Sequence, residues 1–188
     1  MTFKITSEQL IAGTHCSEAT AHKVIDSLNQ AMELFEINTP QRAACFIANV
    51  CFETGNFKYL RELWTIDKPT KWQAAYEGRF GNKMRGDGYK YRGAGWLQIT
   101  FKSNYITVTE WIRELLPNCP DFEQEPEKLA EYPWAAISAA AWWNHNGLNG
   151  LADRDMITGI RRRINGSQML GLNEVKDIWQ RLLRELEK

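Results

Sequence analysis

Two carboxylates stand out by their setting: Glu53 and Glu62, nine positions apart on either side of a glycine-containing turn. Glu53 ends an apolar stretch in which Ala44, Ile47, Ala48, Cys51 and Phe52 recur at i, i+3, i+4 spacing, the stripe of a buried helix. Gly55 follows two residues later, where helices commonly stop in a left-handed turn. A carboxyl at that point meets both burial and the negative end of the helix dipole, and each opposes ionisation. A carboxylic acid kept protonated near neutrality is what general acid catalysis requires. Glu62 lies beyond the turn, placed to face back across a cleft as the complementary base. The alternatives are a solvated glutamate at a helix end for Glu53 and a surface salt bridge for Glu62, with Glu77 a further acid near the same segment.

The elements that must position this pair read as helices. Thr6 or Ser7 caps a short helix to Ala12, and Ser17 caps a longer one with Val24, Ile25, Leu28, Ala31, Met32 and Phe35 on one face. Asn38-Thr39-Pro40 breaks that helix, and Pro40 opens the next, which ends at Glu53. A short helix is expected over Trp72–Phe80, ended by Gly81-Asn82. Arg85–Gly95 (RGDGYKYRGAG) alternates glycine with aromatic or basic residues, which reads as a hairpin or extended loop. Gly93-Ala94-Gly95 followed by Gln98 lacks the third glycine of a dinucleotide fingerprint and has no βαβ unit around it, so no nucleotide site is expected. Thr100 is placed to cap a helix bearing Tyr105, Val108, Trp111, Ile112 and Leu115. Pro120–Glu131 is acidic and reads as surface. Trp134–Trp143 is apolar on nearly every side and reads as a central buried helix. Asn144–Leu151 reads as a loop, Asp153 as the cap of a helix through Ile164, and Leu172–Leu186 as a last amphipathic helix.

Composition limits the alternatives. A chain of 188 residues with 44% apolar and 24% charged residues is ordinary for one globular domain, or two closely packed lobes. The net charge of zero carries no global signature of nucleic-acid binding. No run approaches the ~18 apolar residues of a membrane span, and MTFKITSEQLIAG does not read as a Sec signal. Cys16, Cys45, Cys51 and Cys119 lack metal-ligand spacing and are expected as reduced, buried thiols. His15, His22 and His145 are scattered, so no metal is expected. The eight tryptophans suit a heavy core or a sugar-stacking cleft. Tyr89, Tyr91 and Trp96 are candidates for stacking, with packing against the lobe the slightly favoured alternative for each, whereas Trp142, Trp143 and Trp179 read as core. Of Arg161, Arg162 and Arg163, one is expected to point inward at the acids.

Three segments together, CFETGNF, GDGYKYRGAGWLQITFKSNY and RRRINGS, resemble the motifs of family 19 glycoside hydrolases, a family containing chitinases and bacteriophage endolysins. The resemblance covers about residues 41–178, and its middle motif is the specific one. It implies a mainly α, lysozyme-like two-lobed domain over residues 1–188 with a small β excursion, and no cofactor. It implies Glu53 as the catalytic acid, Glu62 as the base towards a water, and Thr100 as a hydroxyl that helps hold that water. Gln98, Asn104, Tyr105 and Asn165 match sugar-binding positions, with Tyr91 and Trp96 as further candidates. The family inverts at the anomeric carbon, which places its carboxyls about 6.5–9.5 Å apart. Phe52 stands where the family usually has histidine, Ala94 where it has arginine and Ser167 where it has glycine.

Short length and the absence of a recognised signal resemble the phage endolysins more than secreted chitinases. The expectation is hydrolysis of β-1,4 bonds in peptidoglycan by a monomer that accumulates in the host bacterial cytoplasm and reaches the periplasm and cell wall at lysis with a holin. No nucleic acid or membrane anchor is expected. The alternatives are a chitinase acting on N-acetylglucosamine polymers and a non-catalytic glycan-binding relative.

Overall fold

The computed structural model describes residues 3–188. Ten α-helices and two short 3-10 turns carry the described chain, in the order α1 (Ser7–Thr14), α2 (Glu18–Leu34), α3 (Pro40–Glu53), α4 (Lys71–Ala74), α5 (Asp87–Lys90), α6 (Lys102–Arg113), α7 (Trp134–His145), α8 (Leu148–Ala152), α9 (Ile157–Asn165) and α10 (Leu172–Leu186). Strand pairing among the described residues is limited to isolated antiparallel bridges from Ala94 to Arg61 and to Ile99.

The helix starts follow the chemistry of their caps. The Thr6 hydroxyl accepts from Gln9 N–H while the Gln9 side chain returns to Thr6 N–H, a complete capping box. The Ser17 and Thr39 hydroxyls each accept from the N–H three residues on, and Pro40 fills the first position of α3, where no N–H is missed.

Two helices form the middle. In α3 every side chain from Ala43 to Cys51 is buried, and in α7 so are Ala135–Ala141 and Trp143. Their small residues, alanine and cysteine in α3 and alanine and serine in α7, keep stretches of both helices thin, so neighbours close on them from several sides. Helix α10 packs on α3 and on α1, while α2 and α6 pack on α7. Between these helices run residues 57–101, the loop-rich side of the molecule, held by an aromatic chain of Trp64, Tyr76, Phe101 and Phe80 with centroids 4.8–5.7 Å apart.

Several boundaries differ from the sequence expectations. The helix expected over 72–80 stops after one turn at Ala74, because Gly78 and Gly81 take positive φ and Gly78 N–H turns back to Asn82 O. The hairpin expected over 85–95 is a one-turn helix. Its carboxylates explain this: Asp87 accepts from Met84 N–H, and Glu77 accepts from Gly86 and Gly88 N–H, winding the segment instead of extending it. Thr100 does not cap α6; Phe101 holds that place, and Asn82 Oδ1 accepts from Lys102 N–H instead. Asp153 ends α8 and leaves the α9 cap to Met156, its carboxylate taken by Arg42 at 2.6 Å. Residues 144–151 are partly helical as α8. The acidic stretch 120–131 is not all surface, since Phe122 and Leu129 are fully buried from it.

Candidate active site

Glu53 is the last residue of α3, and its surroundings differ from an unpaired acid at an apolar helix end. Arg161, on α9, is wholly enclosed, and its Nη1 lies 2.5 Å from Glu53 Oε1. The guanidinium is fixed from three further sides. Its Nε donates to Leu170 O at 2.7 Å, Nη1 reaches Asn49 Oδ1 at 3.5 Å, and its Cζ lies 4.7 Å from the Phe52 ring centroid. Burial of an arginine at 0% exposure demands such a carboxylate, because an unpaired buried charge is costly. The acid at this helix end therefore faces a buried cation, which its apolar sequence setting did not show. Of the arginine triplet, Arg161 faces the acid; Arg162 and Arg163 are exposed.

Phe52 takes part in this packing. Its ring lies against Gly171, the residue before α10, where an added Cβ would sit 1.9 Å from the ring. At φ +75° Gly171 also uses a conformation that favours glycine. The phenylalanine thus forms an apolar floor under Arg161.

A tight turn carries the chain from Glu53 towards Glu62. Gly55, Asn56 and Phe57 all have positive φ, of +56°, +66° and +64°. Thr54 holds the turn: its hydroxyl donates to Val50 O and accepts from Phe57 N–H, both at 2.7 Å. The left-handed Phe57 is buried against Trp96, at a centroid distance of 5.2 Å. Such a conformation in a bulky residue persists only where the surroundings impose it.

Glu62 is half-buried and forms no ion pair among the described residues. Neutral donors hold it instead. Gln73 Nε2 donates to Oε1 at 3.1 Å, Gly93 N–H donates to Oε2 at 3.1 Å, and Tyr76 OH reaches Oε1 at 3.5 Å. Burial and the adjacent Glu62 carboxylate push the Tyr76 phenol up, so it stays protonated and able to donate. Neutral donors hold the carboxyl in place without pairing it with a cation, which suits a base. The main chain locks the same place: Glu62 N–H donates to Gly93 O, and a Cβ at Gly93 would lie 2.7 Å from Gln98 Oε1.

The other sequence candidates divide into two groups. Thr100 donates its hydroxyl proton to Gln98 O at 2.9 Å and keeps its lone pairs free to accept. Gln98, at φ +50°, donates Nε2 to Gly95 O at 3.0 Å and is part-exposed. Asn104 is exposed and donates to Thr100 O; Asn165, one turn after Arg161 on α9, accepts from Leu170 N–H. These four present polar atoms at or near the surface. Tyr91, Trp96 and Tyr105, by contrast, are 1%, 0% and 0% exposed. Tyr91 OH donates to Glu123 O and Tyr105 OH to Arg92 O, while the Tyr91 and Tyr105 rings meet edge to face at 5.4 Å. Of the stacking candidates, Tyr91 and Trp96 take the packing alternative, and Tyr105, matched to a sugar-binding position, is buried with them in the wall behind the motif.

Gln73 and Tyr76 were not singled out from sequence. The Thr70–Gln73 capping box could have located Gln73 on a helix start, but not its second bond to Glu62. No group of three or more metal-ligating side chains occurs among the described residues.

Comparison with known proteins places this geometry. No family model matches the chain. A glycosyl hydrolase family 19 domain-containing protein of Haemophilus influenzae is 34% identical over 105 residues, which is 54% of this chain and 45% of that protein. The chain thus spans about half the length of that relative. Among solved structures, a bacterial family 19 chitinase superposes with a TM-score of 0.71 at 20% identity, covering 97% of this chain and 94% of that one. Chitinase C from Streptomyces griseus superposes at 0.68 with 16% identity, covering 100% and 94%. A chitinase C mutant superposes at 0.66 with 18% identity, covering 98% and 77%. The chain therefore shares the helical fold of these family 19 chitinases, and over about half its length its sequence is similar to a family 19 glycosyl hydrolase domain-containing protein.

Proposed function

We propose that this chain is a glycoside hydrolase that cleaves β-1,4 bonds in the glycan strands of bacterial peptidoglycan, with Glu53 as acid and Glu62 as base. The observation that carries this reading is the contrast between the two carboxyls. Glu53 is held through Oε1 by one buried cation, and its Oε2 has no hydrogen-bond partner among the described residues. Glu62 is held on both oxygens by neutral donors. Glu53 donates a proton to the leaving glycosidic oxygen as the bond to the anomeric carbon breaks. Glu62 takes a proton from the water that attacks that carbon from the opposite face, so a β bond gives an α product. The Thr100 lone pairs are available to accept from the same water. Gln98, Asn104 and Asn165 offer amides to sugar hydroxyls. No step calls for a metal or an organic cofactor.

Within this reading the chain acts as a phage endolysin. It works as a monomer, is held in the host cytoplasm, and reaches the wall when a holin opens the membrane. The resemblance of its motifs to a family that includes phage endolysins supports this role. Hydrolysis of chitin is the second reading, favoured by the chitinases among the structural relatives. Incubation with purified peptidoglycan and with chitin oligomers, followed by mass spectrometry, separates the two. New reducing ends on peptidoglycan are expected. Comparable or better turnover of chitin reverses the substrate assignment, and saccharide binding without new ends in either would replace hydrolysis with binding alone.

A further inference from the structure

Beside Glu62 lies a cavity of about 620 Å³, of the size that small-ligand sites occupy. Gln73 joins the two, because the side chain that donates to Glu62 Oε1 also lines the cavity. Trp64, Ile66, Met84 and Tyr89 give it an apolar lining, and Lys83 and Arg85 stand at it as exposed cations. Glu77, the acid in the lining, has Oε1 engaged by Gly86 and Gly88 N–H. Neither Lys83 nor Arg85 forms an ion pair among the described residues.

Charge is distributed unevenly along the chain, and the segment that lines this cavity carries an excess of cations. Residues 58–92 contain nine lysines and arginines against four acids, a net charge of +5, in a chain whose formal total is zero. The remainder is therefore net −5. The same segment carries Leu63, Ile66, Trp72, Phe80 and Met84, each more than half exposed. A cationic surface interleaved with apolar side chains gains little from a neutral glycan. It complements a substituent that bears both carboxylates and small apolar groups.

We propose that this cavity binds the carboxylate-bearing peptide stem carried through a lactyl ether on alternate sugars of the strand, with Lys83 and Arg85 facing its carboxylates and Trp64 and Met84 its methyl groups. The inference rests on the reading that the glycan lies across Glu53 and Glu62, since the stem must branch from a sugar next to Glu62. It assigns the choice of a peptide-substituted strand over a bare one to residues outside the acid–base pair.

The test uses peptidoglycan strands with their stems, the same strands stripped by an amidase, and a Lys83→Ala/Arg85→Ala double variant whose fold is checked by circular dichroism. The wild type is expected to prefer stem-bearing strands in kcat/KM, and the double variant to lower that ratio about tenfold, the sum of two partly exposed ion pairs. An unchanged ratio, or an equal fall on both strands, overturns the inference and leaves the proposed hydrolysis standing. Turnover of neither strand counts against the hydrolysis. In that event a titration with muramyl tripeptide, read from amide shifts of residues 83–89, still decides the cavity: localised shifts support it and their absence overturns it. Binding of anionic lipid vesicles by these residues, without peptide-dependent shifts, assigns the surface to a membrane instead.

Discussion

Arg161 Nη1 lies 2.5 Å from Glu53 Oε1, joining an arginine with no exposure to an acid whose side chain is 19% exposed. The relationship ties the end of α3 to α9 across 108 positions of sequence. It also sets which face of the acid remains available, because the guanidinium takes one oxygen and leaves the other. Removal of the cation should therefore affect both stability and chemistry.

Replacing Arg161 with Met is expected to destabilise the fold by about 3 kcal/mol. This is the lower end of the cost of breaking a buried pair, since the Glu53 left behind keeps some solvent contact. Urea denaturation measures it. The variant should also lower kcat, because the guanidinium that fixes one Glu53 oxygen is gone. A stability loss with an unchanged kcat would reduce Arg161 to a structural role.

Gly171→Ala tests the contact beneath that arginine. The added methyl would meet the Phe52 ring at 1.9 Å, at a backbone angle that already favours glycine. A loss of about 1–3 kcal/mol is expected in urea denaturation. Phe52→Leu should relieve part of it in the double variant, since the two sites touch.

Gln73→Ala removes a donor from Glu62 without touching either acid. A hydrogen bond to a charged group contributes about 1.5–3 kcal/mol, so kcat should fall about 10- to 100-fold. KM on the glycan should change little. A fall in KM-dependent binding alone would show that Gln73 contacts substrate instead of orienting the base.

Much of this arrangement was legible in the sequence, and the parts that were not share a cause. Caps place α1, α2 and α3, and apolar patterning places α2, α3, α7 and α10, because those helices bury long runs or faces of apolar side chains. The glycine-rich segment misled because its alternation mimics a strand, whereas the carboxylates of Glu77 and Asp87 bind main-chain N–H groups and coil it. The placement of Tyr91, Trp96 and Tyr105 was hidden for a related reason. An aromatic in a polar motif can face a ligand or a core, and only tertiary packing decides. Gln73 and the singling out of Arg161 among three arginines depend on contacts 11 and 108 positions away, which local pattern cannot show.

The Arg42–Asp153 pair sets an acid dependence of stability. Hydrogen bonding and proximity to Arg42 hold the Asp153 carboxyl below its usual range. Its contribution is thus fully present above the unfolded aspartate value of about 3.9 and is lost as pH falls through the lower folded value. The thermal midpoint of the wild type should drop more than that of Asp153→Asn between pH 5 and pH 3. Parallel curves would show that the pair contributes nothing.

The four cysteines should be inert in the folded protein. All are buried and unbridged, and burial pushes the Cys45 and Cys51 thiols up to about 12 and Cys119 to about 11. At pH 8 a disulfide reagent should react slowly with native protein and rapidly with four thiols after denaturation. Rapid native reaction would place at least one thiol in an open environment.

The most direct test of the two-carboxylate account is the anomeric configuration of freshly released product, followed by time-resolved proton NMR on soluble peptidoglycan strands. Inversion requires the α-anomer to appear first and the β-anomer to grow only by mutarotation. Appearance of the β-anomer first, or of no new reducing end at all, would contradict the roles given to Glu53 and Glu62.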